Sequence, residues 1–174
     1  MKNLSLIIVS LLFSSNNGKA QVHQNGIGLR YGTGNAFRNS EFTYQLGLGQ
    51  SDRLQFGLGY QQRNDGIYAF QQLSTSIYYQ HVWNIKGGFN WFLGAGIKYD
   101  YAKLKQFDQT YFHHNFTAGP TIGLEYDFNH KNVPLVLALD YRPSFVYSKS
   151  FGGHVGFDNQ FGLSLHYTFG DKKK

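Results

Sequence analysis

The sequence predicts an all-β fold, an eight-stranded antiparallel up-and-down barrel that crosses a membrane on its strands. Three observations predict it. Eight segments alternate, residue by residue, between a bulky apolar side chain and a small or polar one. The connections between them alternate short and long. The composition is poor in charge and rich in aromatics, 15% and 18%, with 21 glycines and 13 tyrosines; soluble domains average about 25% charged residues. A closed antiparallel barrel is the one β-architecture that crosses lipid without an unpaired backbone edge.

The chain opens on an expected export signal, residues 1–20. Lys2 supplies a positive start, Leu4 to Phe13 a short apolar run, and Gly18-Lys19-Ala20 small side chains at the positions a signal peptidase reads. That run is shorter than the roughly 20 residues a spanning helix needs. Residues 21–174 then read as a single barrel domain. The formal charge of +6 falls to +4 once Lys2 and Lys19 leave with the signal, and Lys172, Lys173 and Lys174 supply three of those charges. A basic tail on an exported chain is no nucleic-acid footprint. With no cysteine there is neither a disulfide framework nor thiolate chemistry.

The elements follow in order. The first strand sets Ile27, Leu29 and Tyr31 against Gly28, Arg30 and Gly32. The second sets Phe42, Tyr44, Leu46 and Leu48 against Thr43, Gln45, Gly47 and Gly49, and the third Leu54, Phe56, Leu58 and Tyr60 against Gln55, Gly57, Gly59 and Gln61. The fourth is weaker, with Leu73, Thr75, Ile77 and Tyr79 opposite Ser74, Ser76, Tyr78 and Gln80. The fifth runs from Trp91 to Tyr101 with Lys98 and Asp100 on its polar face; the sixth runs from Phe116 to Phe128 with Glu125 and Asp127 on that face. The seventh opposes Leu135, Leu137, Leu139 and Tyr141 to Val136, Ala138, Asp140 and Arg142, and the eighth spans Phe161 to Phe169. Each is expected to be about 9–11 residues long, or slightly less, as a tilted spanning strand requires. Ser51 to Arg53, Asn84 to Gly87 and Asn129 to Val133 read as tight turns. Thr33 to Ser40, Gln62 to Gln71, Lys103 to His113 and Ser148 to His154 read as longer polar loops. Short turns on the periplasmic side and long loops outside are the bacterial barrel's rhythm.

Alternation alone also fits a secreted soluble barrel with its apolar face inward, which would carry a ligand. Three signs favour the apolar face toward lipid. The polar face is Gly, Thr, Ser and Gln rather than Lys and Glu, which suits the cramped lumen of eight strands. Arg30, Lys98, Asp100, Glu125, Asp127, Asp140 and Arg142 all fall on the polar parity, as a structural charge network in that lumen would require. Aromatics such as Tyr60, Trp83, Trp91, Tyr101, Tyr126 and Phe169 gather at strand ends, as interfacial girdles do.

On these residues the chain resembles the small eight-stranded outer-membrane barrels of the OmpA transmembrane-domain and OmpX type. It looks most like those of Bacteroidota, which often carry Gly-Pro-x-x-Gly-Leu-Glu-Tyr late in the barrel. Here that stretch is Gly119-Pro120-Thr121-Ile122-Gly123-Leu124-Glu125-Tyr126. The resemblance implies a Gram-negative outer-membrane location, a lumen filled by salt bridges, and an assembly signal in Leu163, Leu165, Tyr167 and Phe169 for the barrel-assembly machinery. The family's strict form ends on the aromatic, whereas here Gly170 to Lys174 follow it.

Seven histidines raise an enzyme hypothesis. Lipid A deacylases of this architecture place His-x-Ser on one strand face. Here His81, His114, His154 and His166 are followed at i+2 by Trp83, Phe116, Gly156 and Thr168, so none matches. His113 and His114 point to opposite faces of a strand and cannot easily share one metal ion with His154. Gly32-Thr33-Gly34 and Gly152-Gly153 lack the lysine and helix of a phosphate loop. No catalytic group, cofactor or metal is therefore assigned. The expected protein is a monomeric, non-enzymatic surface barrel in contact with outer-membrane lipid and lipopolysaccharide. Its candidate binding residues for an extracellular partner lie in two loops: Arg63, Tyr68 and Phe70, and Lys103, Lys105, Phe107, Tyr111 and Phe112. A lipid-modifying enzyme is the first alternative and the soluble ligand-binding barrel the second.

Overall fold

A computed structural model describes residues 22–34, 38–64, 68–106, 109–149 and 153–172. The expected export signal and Phe107 lie outside the described residues. Eight strands follow one another: β1 (His23–Gly34), β2 (Arg38–Gly47), β3 (Asp52–Asn64), β4 (Tyr68–Lys86), β5 (Phe89–Gln106), β6 (Gln109–Asp127), β7 (Leu135–Ser148) and β8 (His154–Lys172). Each pairs antiparallel with its sequence neighbours, and β8 returns to β1 from Gly26↔Thr168 to Gly34↔Gln160, closing the barrel.

The alternation holds in every strand. Along β1, Leu29 is 68% exposed and its neighbour Arg30 is 1% exposed. Outside stand Phe42, Leu58, Ile97, Phe116, Leu139, Phe157 and Leu163, all exposed, while the buried set inside is mostly polar. This polarity is the reverse of a soluble barrel's, in which apolar side chains fill the interior.

The strands are longer than expected at the loop end. β4, β5, β6 and β8 have 18 or 19 residues. At about 3.3 Å per residue such a strand measures roughly 60 Å, far more than an apolar band about 25 Å tall needs. Of the ranges read as long loops, Gln62 to Gln71 and Lys103 to His113 are therefore mostly strand. Arg63 pairs with Phe70 across β3 and β4, and Lys103 with Phe112 across β5 and β6. Polar residues hid this continuation, because a ribbon standing clear of lipid needs no apolar face.

The turn end is corrected too. The chain reverses at Leu48 to Ser51, so Asp52 and Arg53 begin β3 instead of completing a turn. Asn84 to Lys86 continue β4, and the reversal is the pair Gly87-Gly88, with φ of 58° and 88°. Glycine adopts that backbone at the least steric cost. Phe128, read as the end of the sixth strand, opens a short 3-10 helix (Phe128–Lys131) whose first turn is capped by the Asp127 side chain.

The wall has one discontinuity. Pairing between β6 and β7 runs from Asn115↔Ser148 to Ala118↔Phe145 and resumes in the same register at Ile122↔Tyr141. That register sets Pro120 against Pro143 in the interval. Neither residue has an N–H to donate, so two ladder hydrogen bonds are missing at one level.

Candidate functional site

The lumen is where the sequence places most of its charge, and the structure brings that charge together. Arg30 donates to Asp140 through Nε at 3.0 Å and Nη2 at 2.7 Å. Arg142 Nε lies 2.9 Å from the same carboxylate, and its guanidinium sits 4.1 Å from the Tyr78 ring centroid. Glu41 Oε2 stands 3.7 Å from both Arg30 Nη1 and Arg142 Nη1. Alanine-sized side chains at positions 32 and 162 would crowd the Arg30 guanidinium, and glycine at both leaves it room. Nearer the loops, Lys98 pairs with Asp100 at 3.1 Å, and Gln72 donates to Asp100 at 2.7 Å.

A second charged centre lies toward the turn end. Arg53 Nη2 is 2.7 Å from Glu125 Oε2, while Arg53 Nε donates to Gln80 at 2.7 Å. Asn90 also donates to Glu125, and the Arg53 guanidinium lies over the Phe92 ring. At the mouth, His23 Nε2 approaches Asp127 at 3.2 Å, and Val22 packs with Val82, Phe92 and Ala138. A cavity of about 20 Å³ among His23, Asn25, Gln45, Arg53, Glu125 and Asp127 has room for a single water. Buried side chains occupy the lumen along its length. All seven lumen charges read from the sequence point inward and are buried.

Two members of this network are not in the sequence reading. Glu41 and Arg53 are 2% and 3% exposed. Both precede the first bulky apolar residue of their strand, where alternation by apolar onset places the strand start. The usable signal is parity: Glu41 is two residues from Thr43, and Arg53 two from Gln55, both lumen-facing.

Two of the histidines each hold part of a hydrolase-like arrangement, at separate places. Thr43 Oγ1 lies 2.9 Å from His166 Nε2, but both residues are fully buried in the lumen and His166 Nδ1 has no partner. His81 is oriented by Asp52, on the outer wall, with no hydroxyl nucleophile hydrogen-bonded to it among the described residues. The two halves of a triad thus stand at separate places. His114 faces outward against the Tyr99 hydroxyl at 2.7 Å. No group of three metal-ligating side chains occurs among the described residues.

At the loop end, the outward face of β5 and β6 carries an aromatic shelf. Tyr101 and Phe112 stack at 6.0 Å, with Tyr99, His114 and Phe116 adjoining. Lys103 and Lys105 follow on the same parity, exposed, with no carboxylate paired to either among the described residues. Of the other candidate binding residues, Arg63 and Tyr111 are exposed, Phe70 is half-buried, and Tyr68 opens β4. Leu163, Leu165, Tyr167 and Phe169 all face outward on β8, which continues past them to Lys172.

No protein-family model matches the chain, and neither does any curated protein. Solved structures do match. The N-terminal β-barrel domain of Pseudomonas aeruginosa OprF has a TM-score of 0.65 at 15% identity, over 83% of this chain and 96% of that one. The attachment invasion locus protein Ail of Yersinia pestis has a TM-score of 0.50 at 15% identity, over 83% and 95%. Ail in complex with the heparin analogue sucrose octasulfate gives 0.51 at 15%, with the same shares. The chain therefore shares the fold of small outer-membrane barrels.

Proposed function

We propose that this chain is a non-enzymatic barrel of a Gram-negative outer membrane, of the type that Gly119 to Tyr126 resembles in Bacteroidota, and that it acts through its loop-end rim. One observation carries the reading: the exterior is a continuous apolar surface, while the interior is closed by paired charges. An apolar exterior finds its solvent in lipid. A filled eight-stranded interior leaves no aqueous path, so neither a pore nor a lumenal ligand is proposed. The two-residue reversal at Gly87-Gly88 and its neighbours face the periplasm, and the tall β3–β6 ribbons face outward. Leu163, Leu165, Tyr167 and Phe169 serve as the signal to the barrel-assembly machinery, and the barrel works as a monomer.

The partner chemistry proposed for the rim is anionic. Lys103, in register with Phe112, and Lys105, next beyond it on the same face, border the Tyr101–Phe112 shelf and offer cations to lipopolysaccharide phosphates at that interface. Exposed Arg63, Tyr111 and Phe112, level with these lysines on the same ribbons, supply a surface for an extracellular partner. Sucrose octasulfate is a ligand of Ail; the anionic reading here comes from this chain's own lysines.

The test is lipopolysaccharide retention. Barrel purified from outer membranes is expected to carry bound lipopolysaccharide, and Lys103→Gln with Lys105→Gln to lose most of it without loss of folding. Equal retention by the double variant contradicts the assignment.

A further inference from the structure

Asp52 is the single carboxylate, among the described side chains, on the outward face of the eight strands. It stands at the turn end of β3, and an ionisable group bordering lipid is costly enough to need a reason. Its partners are specific. Oδ1 accepts hydrogen bonds from the Tyr79 hydroxyl at 2.5 Å and from His81 Nδ1 at 2.6 Å. Oδ2 takes no hydrogen bond among the described residues. The His81 ring meets Trp83 edge-on at 4.3 Å, and Trp83 stacks on Trp91 at 4.2 Å. Roughly a third of each side chain is open, 35% for Asp52 and 36% for His81.

A carboxylate whose only purpose was to hold Tyr79 and His81 would be met equally by an amide, at far lower cost beside lipid. The charge itself calls for a cation. Among the described residues the cationic group that the carboxylate meets is His81, whose Nδ1 lies on Oδ1, and Oδ2 is left open to a second cation. The neighbouring imidazole, with Nδ1–H committed to Asp52, has its second nitrogen left for an anion when protonated. A cation-seeking oxygen beside an anion-seeking nitrogen, on an indole floor at headgroup level, matches a zwitterion.

We propose that Asp52, His81 and Trp83 seat the headgroup of an ethanolamine phospholipid in the periplasmic leaflet. The primary ammonium donates to Asp52 Oδ2, His81 Nε2–H donates to the phosphate, and Trp83 packs along the glycerol. The choice of ethanolamine over choline follows from donors, because a quaternary ammonium has no N–H to give a carboxylate. The inference rests on the outer-membrane reading above and is separable from it.

The full chain in nanodiscs holding equal amounts of ethanolamine and choline phospholipid with identical acyl chains, extracted into mild detergent and weighed by native mass spectrometry, gives the test. Ethanolamine lipid is expected to be retained several-fold over choline lipid. Successive N-methylation of the headgroup should lower retention by the wild type step by step. Asp52→Asn should bring the ratio to about one, and His81→Gln should weaken retention of both lipids while keeping the preference. An even ratio in the wild type, or a preference that survives Asp52→Asn, overturns the site. Should Asp52→Asn fail to fold, the N-methylation series and His81→Gln decide alone. Failure of the wild type to enter nanodiscs would instead strike the membrane reading.

Discussion

Arg30 shows at the scale of one residue how this barrel inverts ordinary burial. Its guanidinium is enclosed by the wall, bound in two places by Asp140, and given room by Gly32 and Gly162. Enclosing such charges is costly, and the pairing compensates only while each partner is present. Asp140→Ala strips the carboxylate from both Arg30 and Arg142, so it should cost about 3–5 kcal/mol. Urea unfolding of the folded barrel in detergent measures that loss. A change below about 1 kcal/mol, the scale of an exposed pair, would mean that solvent reaches the cluster. Polar parity alone made Arg30, Asp140 and Arg142 legible. Glu41 and Arg53 were not, because nothing apolar precedes them to announce that the strand has begun.

At the scale of the element, the seam between β6 and β7 is the clearest departure from a regular ladder. Pro120 opposite Pro143 removes two hydrogen bonds in a wall that lipid cannot solvate, and pairing is lost over Gly119 to Thr121. The amides of Gly119, Thr121, Arg142 and Ser144 should therefore exchange with deuterium faster than those of Ile97 to Tyr99 in β5. Pro143→Val restores one donor and keeps an apolar side chain outward, and it should slow that exchange. Uniform protection across both regions would show that the seam carries no local weakness. Both prolines are plain in the sequence, but their opposition depends on register, which single strands do not reveal. Strand length was misjudged for a related reason. The alternation of apolar residues reports the depth of lipid, while the ribbons of Arg63–Phe70 and Lys103–Phe112 rise beyond it on backbone pairing alone. The weak fourth segment, broken by Thr75 and polar at its upper end, became one of the longest strands because β3 and β5 pair along it.

For the whole molecule, the even count of eight strands, their antiparallel order and the direction of each face were all readable from the sequence. Those features follow from one constraint, that apolar side chains meet lipid and backbone groups meet one another. The Asp52, Tyr79 and His81 cluster was not readable, since it joins the start of one strand to the end of its neighbour. The central claim is a closed barrel with its apolar face to lipid, and the migration of membrane-fraction protein on SDS gels, unheated against boiled, tests it most directly. A closed barrel keeps its ladder in detergent, so the unheated sample should run faster than the boiled one. Recovery in the soluble fraction with no difference between the two lanes would contradict the account.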